Sequence, residues 1–192
     1  MIPNHTHEGV LPPFIPGCAP SDHGATAPYR TELLKFAERF SGSAERKAIL
    51  YGLVAYRTAL RAVGITFGFQ WLDGSFVEDC EAIRGRAPKD IDLITFSSRP
   101  QSYRDTKAWR ELIYSRPDLF DPETTKDKYK CDAYFVDLDA HPIHVVAQTR
   151  YWFGLFSHQR ETYLWKGMIE VPLTADDEDV DSFLRLEGND AP

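Results

Sequence analysis

Two runs of the chain decide its reading. The first is Phe69-Gln70-Trp71-Leu72-Asp73-Gly74-Ser75-Phe76, and the second is Pro88-Lys89-Asp90-Ile91-Asp92-Leu93-Ile94-Thr95-Phe96. The first reads as a strand of aromatic and aliphatic residues that breaks at Gly-Ser. The second reads as an apolar strand that opens on Asp-x-Asp. Side chains alternate across a strand, so Asp90 and Asp92 are predicted to share one face, with Cα atoms roughly 6.5–7 Å apart. Carboxylates this close raise one another's pKa, and on so apolar a strand they require a cation. Mg2+ (or Mn2+) suits them, because such ions take oxygen ligands and leave positions for substrate phosphates. A third acid would complete a two-metal site, with ions about 3.5–4 Å apart. Asp132, in Lys130-Cys131-Asp132-Ala133-Tyr134-Phe135-Val136, is the first choice; Asp137 and Asp139 are alternatives nearer the other end of that strand. Gly74 lets the backbone approach a phosphate closely. A helix starting there would turn free N–H groups toward the anion, and Ser75 adds a hydroxyl. Lys89 is the candidate to neutralise a substrate phosphate; its plain alternative is a solvated lysine.

The wider composition bounds the function classes. The chain has 192 residues, enough for one domain with its own core. No run approaches the length of a membrane span, and the N-terminal stretch lacks the basic start and apolar run of a signal peptide. Three cysteines (Cys18, Cys80, Cys131) at irregular spacing argue against a disulfide framework or zinc cluster and for a reducing, cytoplasmic setting. The net charge is −7, but residues 174–192 hold seven acids against Arg185 alone, so the body is nearly neutral. A local basic face, with a nucleic-acid partner, is compatible with that balance.

Along the chain, residues 1–28 carry Pro3, Pro12, Pro13, Pro16, Pro20 and Pro28, which block helix and ladder. They read as an extended arm pinned by Val10, Leu11, Phe14 and Ile15. Residues 29–173 form the domain, and 174–192 an acidic tail that reads as a solubilising end, with a short helix around Val180, Phe183 and Leu184. Within the domain, a short helix spans Thr31–Phe40. Ser43 caps a longer one with the stripe Ile49, Leu53, Tyr56, Leu60 and Val63, which ends at Gly64. Strands are predicted at Thr66–Leu72, at Ile91–Phe96 in the sheet centre, at Cys131–Leu138, and at Met168–Leu173 as an edge strand carrying Pro172. Helices are predicted at Tyr103–Tyr114 and Ile143–Phe156, with a polar loop at Asp118–Lys130. Arg84, Arg86 and Arg99 are candidates for a basic rim. His5-x-His7 and His141-x-x-His144 are weak metal signals, one in the arm and the other broken by Pro142.

Taken in order, the Gly-Ser turn, the 14 residues that follow Ser75, the Asp-x-Asp strand and a later acid on a strand resemble the nucleotidyltransferase-like superfamily, which includes DNA polymerase beta, kanamycin nucleotidyltransferase and the minimal nucleotidyltransferases. Trp71-Leu72-Asp73-Gly74-Ser75-Phe76 is similar to its glycine-serine motif, Asp90-Ile91-Asp92 to its paired acids, and Asp132 to its third acid. Within it, the chain resembles a small bacterial family of unassigned function. The shared marks are the arm Gly9-Val10-Leu11-Pro12-Pro13, Gly42-Ser43-Ala44-Glu45-Arg46, the Asp-Gly-Ser-Phe turn, and a late Lys166-Gly167-Met168-Ile169. The resemblance covers roughly residues 8–173. It implies an α+β fold with a short mixed sheet and helices packed on it, and nucleoside triphosphate with magnesium as ligands.

The expected activity is transfer of a nucleoside monophosphate from a nucleoside triphosphate to a hydroxyl of a protein, a tRNA or a small molecule. Asp90, Asp92 and Asp132 are the expected metal ligands and catalytic acids; Gly74, Ser75 and Lys89 are the expected substrate contacts. The alternative is a nucleotidyltransferase-fold binding module with weak or lost catalysis and a partner protein, such as one half of a toxin–antitoxin or phage-defence pair. The charged piece from Phe76 to Lys89 is long for the superfamily and is expected at the mouth of the site.

Overall fold

The computed structural model describes residues 1–19, 21–174 and 177–189. Three strands carry the candidate acids. β2 (Gly68–Asp73) runs antiparallel to β3 (Ile91–Ser97), and β3 runs parallel to β4 (Cys131–Asp137). β5 (Ile169–Pro172) pairs antiparallel with the other side of β2, and β1 (Tyr29–Arg30) pairs parallel with β5. The result is a five-stranded mixed sheet in the order β1-β5-β2-β3-β4, with β3 flanked on both sides as its apolar sequence predicts.

The two faces of the sheet are covered unequally. One carries most of the helices: α1 (Leu33–Phe40), α2 (Ala44–Ala62), α4 (Thr106–Ser115), α5 (Pro117–Phe120), α6 (Pro122–Tyr129) and α8 (Asp177–Asn189), with the short α3 (Cys80–Arg84) between β2 and β3 in sequence. Their apolar stripes, such as Leu53, Tyr56 and Leu60 of α2, close on Leu72, Leu93, Ala133 and Val171. Burying each large side chain contributes about 1.5–3 kcal/mol. The other face receives α7 (Pro142–Phe156), which buries only Trp152 and Phe156 against Trp71, Ile94, Phe96 and Val136. Among the described residues no helix is long and apolar enough to cross a membrane.

The arm lies along the domain, as its prolines predict. Val10 and Leu11 are buried, Ile15 packs on the core, and Phe14 stays half-exposed with its ring at the edge of Trp165. Tyr29 Oη donates to Pro12 O at 2.7 Å.

Three expectations need correction. Residues 118–130 are not a loop but α5 and α6. Pro117 and Pro122 stand at helix starts, where no N–H is required, and Asp121 caps α6 by accepting from Thr124 N. Lys130 then ends α6 at φ +58°. Met168–Leu173 is not an edge strand, because the two residues of β1 cover its outer side; Pro172 is tolerated as the last strand residue. The tail is not merely a solubilising end. Val180 and Leu184 enter the core, and Asp177 pairs with the fully buried Arg57 at 2.8 Å and with Arg61. Asp176 and Asp190 lie outside the described residues.

Candidate active site

Sheet register brings the acids together. Asp73 of β2 stands opposite Asp92 of β3, and Asp92 stands opposite Asp132 of β4. Residues paired across a sheet point to the same face, so the three carboxylates form a row across neighbouring strands. Asp90, two residues before Asp92, falls on that face as well. It is the face under α7, where Trp71, Ile94 and Phe96 continue the same alternation. Asp137 and Asp139 are at the far end of β4 and are occupied by Arg99, whose Nε is 2.7 Å from Asp137 Oδ2 and whose backbone N–H donates to Asp139 at 2.8 Å. Arg99 therefore belongs to that end and not to a rim around the acids.

Gly74 sits where only glycine fits. Its φ is +79°, and a Cβ there would run into the Asp92 carboxylate, 2.9 Å from Cγ. The Asp-Gly-Ser turn thus holds Asp92 against bare backbone. Ser75 follows in a short 3-10 turn, Gly74–Val77. Gly74 and Ser75 line a cavity of about 220 Å³ with Asp73, Asp92, Glu78, Lys166 and three arginines, Arg84, Arg86 and Arg160. Arg84 and Arg86 come from the long connection after Ser75, so that segment does stand at the site. Lys89 is exposed and is not on the cavity wall.

Two lysines answer the negative charge. Lys166 is buried, 3.0 Å from Asp73 Oδ1 and 3.1 Å from Glu78 Oε1. The contact to Asp73 is close enough for an ion pair but lies off the direction of a hydrogen bond, so Asp73 Oδ1 is buried with no hydrogen-bond partner. Lys126 of α6 reaches the other end of the row, 2.6 Å from Asp90 Oδ2 and 3.7 Å from Asp132 Oδ2. Asp92, in the middle, has no ion pair among the described residues. Burial first, then the charges of Asp132 and Asp90, push its carboxyl up to about 6, against the pull of Lys166 and Arg160. Burial likewise raises Asp73 to about 6, opposed chiefly by Lys166. Burial opposes the charge on Lys166, but Asp73 and Glu78 outweigh it and the ammonium is held above its ordinary range.

The donor set suits a hard divalent cation. It consists of carboxylate oxygens on one face, one of them buried without a hydrogen bond, with an ammonium in the gap between Asp90 and Asp132. Among the described residues no three His, Cys, Asp or Glu side chains are drawn together as a metal-binding group; Lys126 stands between two of the acids. The histidines are placed elsewhere: His5 meets Val77 O at 3.0 Å, and His141 accepts from Ile143 N at the start of α7.

Asp73, Glu78, Lys126, Lys166 and Arg160 escaped sequence reasoning as site residues. Asp73 had a usable signal, since it directly precedes Gly-Ser at the strand end. The others come from elements remote in sequence.

Residues 3–172 match a family of unknown function (DUF6932), and the chain belongs to that family. No curated protein and no solved structure matches the chain.

Proposed function

We propose that this member of the family is a metal-dependent nucleotidyltransferase, moving a nucleoside monophosphate from a nucleoside triphosphate to an acceptor hydroxyl on a protein, a tRNA or a small molecule. The observation that carries the reading is the in-register row Asp73, Asp92 and Asp132, with the Asp92 carboxylate resting on Gly74 beside an arginine-lined cavity.

Asp90, Asp92 and Asp132 would hold the cation, with Asp73 as a further oxygen donor. Magnesium supplies charge stabilisation for the attacking and leaving oxygens of an in-line displacement. The Gly74 N–H and the Ser75 hydroxyl meet the terminal phosphates, and Arg84, Arg86 and Arg160 offset their charge. Asp132 takes the proton of the acceptor hydroxyl. The new bond joins the acceptor oxygen to the α-phosphorus, the bond to the bridging oxygen breaks, and pyrophosphate leaves with that electron pair.

The test is incubation with an α-labelled triphosphate and host lysate. Label is expected in a protein, RNA or small-molecule fraction and is expected to vanish in Asp90→Ala/Asp92→Ala. Persistent labelling by the double variant places the chemistry elsewhere. Absence of label in every acceptor pool favours the second reading, a binding module of this fold. One observation supports that second reading: an exposed, largely apolar groove of about 840 Å³ between α7 and Trp165, lined by Val145, Val146 and Phe153.

A further inference from the structure

The two lysines at the acid row are not equivalent. The Lys166 side chain is 4% exposed and wedged between Asp73 and Glu78; its ammonium cannot leave without stranding the buried Asp73 carboxylate. The Lys126 side chain is 47% exposed and leaves into solvent at little cost. Its position is nonetheless built. Asp121 caps α6, Thr125 beside it is buried and accepts from Ala133 N of β4 at 3.4 Å, and Gly52 of α2 admits the Tyr129 carbonyl against its Cα, where any side chain would collide. Lys128, two residues on, turns away to Asp118 at 2.9 Å. Of these two α6 lysines, Lys126 is the one that reaches the acids.

Asp90 directly precedes β3 and Asp132 lies on β4, and the Lys126 ammonium joins them. A magnesium ion bound by the same two carboxylates, ~2.0–2.1 Å from each oxygen, needs the same space. Ammonium and metal therefore exclude one another there. At the other end of the row, Asp73 Oδ1 lies buried on the cavity wall with Lys166 at 3.0 Å but no hydrogen-bond partner.

We infer that Lys126 is a built-in counterion which a divalent cation displaces from Asp90 and Asp132, so that the metal-free site is closed by α6 and opened by loading. This rests on the metal-dependent reading above. The displaced ammonium gains a new partner when an anionic triphosphate is present. Cation and triphosphate then bind cooperatively in part through this lysine, each favouring the state in which Lys126 has left the acids.

The test uses the full chain, metal-free and without nucleotide. Mn2+ is titrated in and the free ion counted by electron paramagnetic resonance for wild type, Lys126→Met and Asp92→Asn. Lys126→Met is expected to bind Mn2+ roughly two- to fivefold more tightly, the scale of a half-exposed ion pair converted to an equilibrium constant. Asp92→Asn is expected to remove most of the binding. A readout on wild type needs no substitution: acylation of Lys126 by an amine-reactive ester, followed by mass spectrometry against Lys128 as internal standard. The Lys126 to Lys128 ratio is expected to rise on Mn2+ saturation. Equal or weaker Mn2+ affinity in Lys126→Met, or an unchanged ratio at saturation, overturns the displacement and leaves the metal-dependent reading standing. No site-specific Mn2+ binding by either wild type or Lys126→Met overturns both.

Discussion

Asp92→Asn should make the metal-free protein more stable while disabling it. The carboxylate is mostly buried between Asp90 and Asp132 and rests on Gly74, and its pKa rises from the ordinary 3.8 to about 6. Because it binds its proton more tightly folded than unfolded, the stability it contributes is fully present below pH ~4 and is lost as pH climbs through ~6. At pH 8 the ionised group then costs at most about 3 kcal/mol, at 1.36 kcal/mol per pKa unit. Asparagine keeps the shape and removes the charge. Allowing for hydrogen bonds the amide makes less well, the gain is about 1–3 kcal/mol, or roughly 2–10 °C in Tm for a chain of this size. The assay is thermal unfolding with chelator at pH 8 and again at pH 4.5, repeated at pH 8 with magnesium and each nucleoside triphosphate. The gain should be present at pH 8 and mostly absent at pH 4.5, where the wild-type carboxyl is largely protonated in the folded state. A ligand-induced rise is expected in wild type and should disappear in the variant. An unchanged or lower Tm at pH 8, or an equal gain at both pH values, would refute the electrostatic account of Asp92.

Three further outcomes follow from packing and charge. Gly74→Ala should lower the urea midpoint by an equivalent of about 1–3 kcal/mol, because alanine at φ +79° is strained and its Cβ displaces the Asp92 carboxylate; an unchanged midpoint would contradict that contact. Lys166→Met should cost about 3–5 kcal/mol by leaving Asp73 as an uncompensated buried charge, while Glu78 keeps Arg84 at 2.7 Å, and adding Asp73→Asn should recover part of it; a double variant no better than the single would break the proposed pairing. Asp177→Ala should cost a similar amount, about 3–5 kcal/mol, since it removes the carboxylate from fully buried Arg57; a loss below about 1 kcal/mol in urea unfolding would mean that α8 is not anchored there.

The parts of the site that the sequence makes legible are those written in consecutive residues. Gly74-Ser75 and Asp90-x-Asp92 state their own geometry, a break and a same-face pair, and the strand periods around them survive intact in β2 and β3. Partners set by register were harder to see. Asp73 looks like the end of a strand until its pairing opposite Asp92 is known. The residues from Asp118 to Lys130 look like a loop because their prolines and polar side chains are the usual marks of one. Those same residues serve as helix starts and caps once Leu119 and Tyr129 have a core to enter. With α6 unread, Lys126 had no place from which to reach the acids. Lys166 was visible only as part of a late Lys-Gly pair, and nothing local marks it as buried.

This asymmetry has a physical origin. Like charges that must share a metal are most simply held by one strand and its neighbour, so the anions of such a site fall into a short motif. Their counterions only have to arrive within an ion-pair distance, and any element that packs nearby can deliver them. Here one comes from a helix between β3 and β4, and the other from the residues before β5. The cations nevertheless decide how the site behaves. Lys166, fixed under Asp73, adjusts the charge of the row without blocking it. Lys126, half in solvent between Asp90 and Asp132, stands where the proposed metal would bind. A chain that kept every acid but replaced Lys126 would read the same at the level of motif, yet under the proposed metal-dependent reading it would take up a cation on different terms.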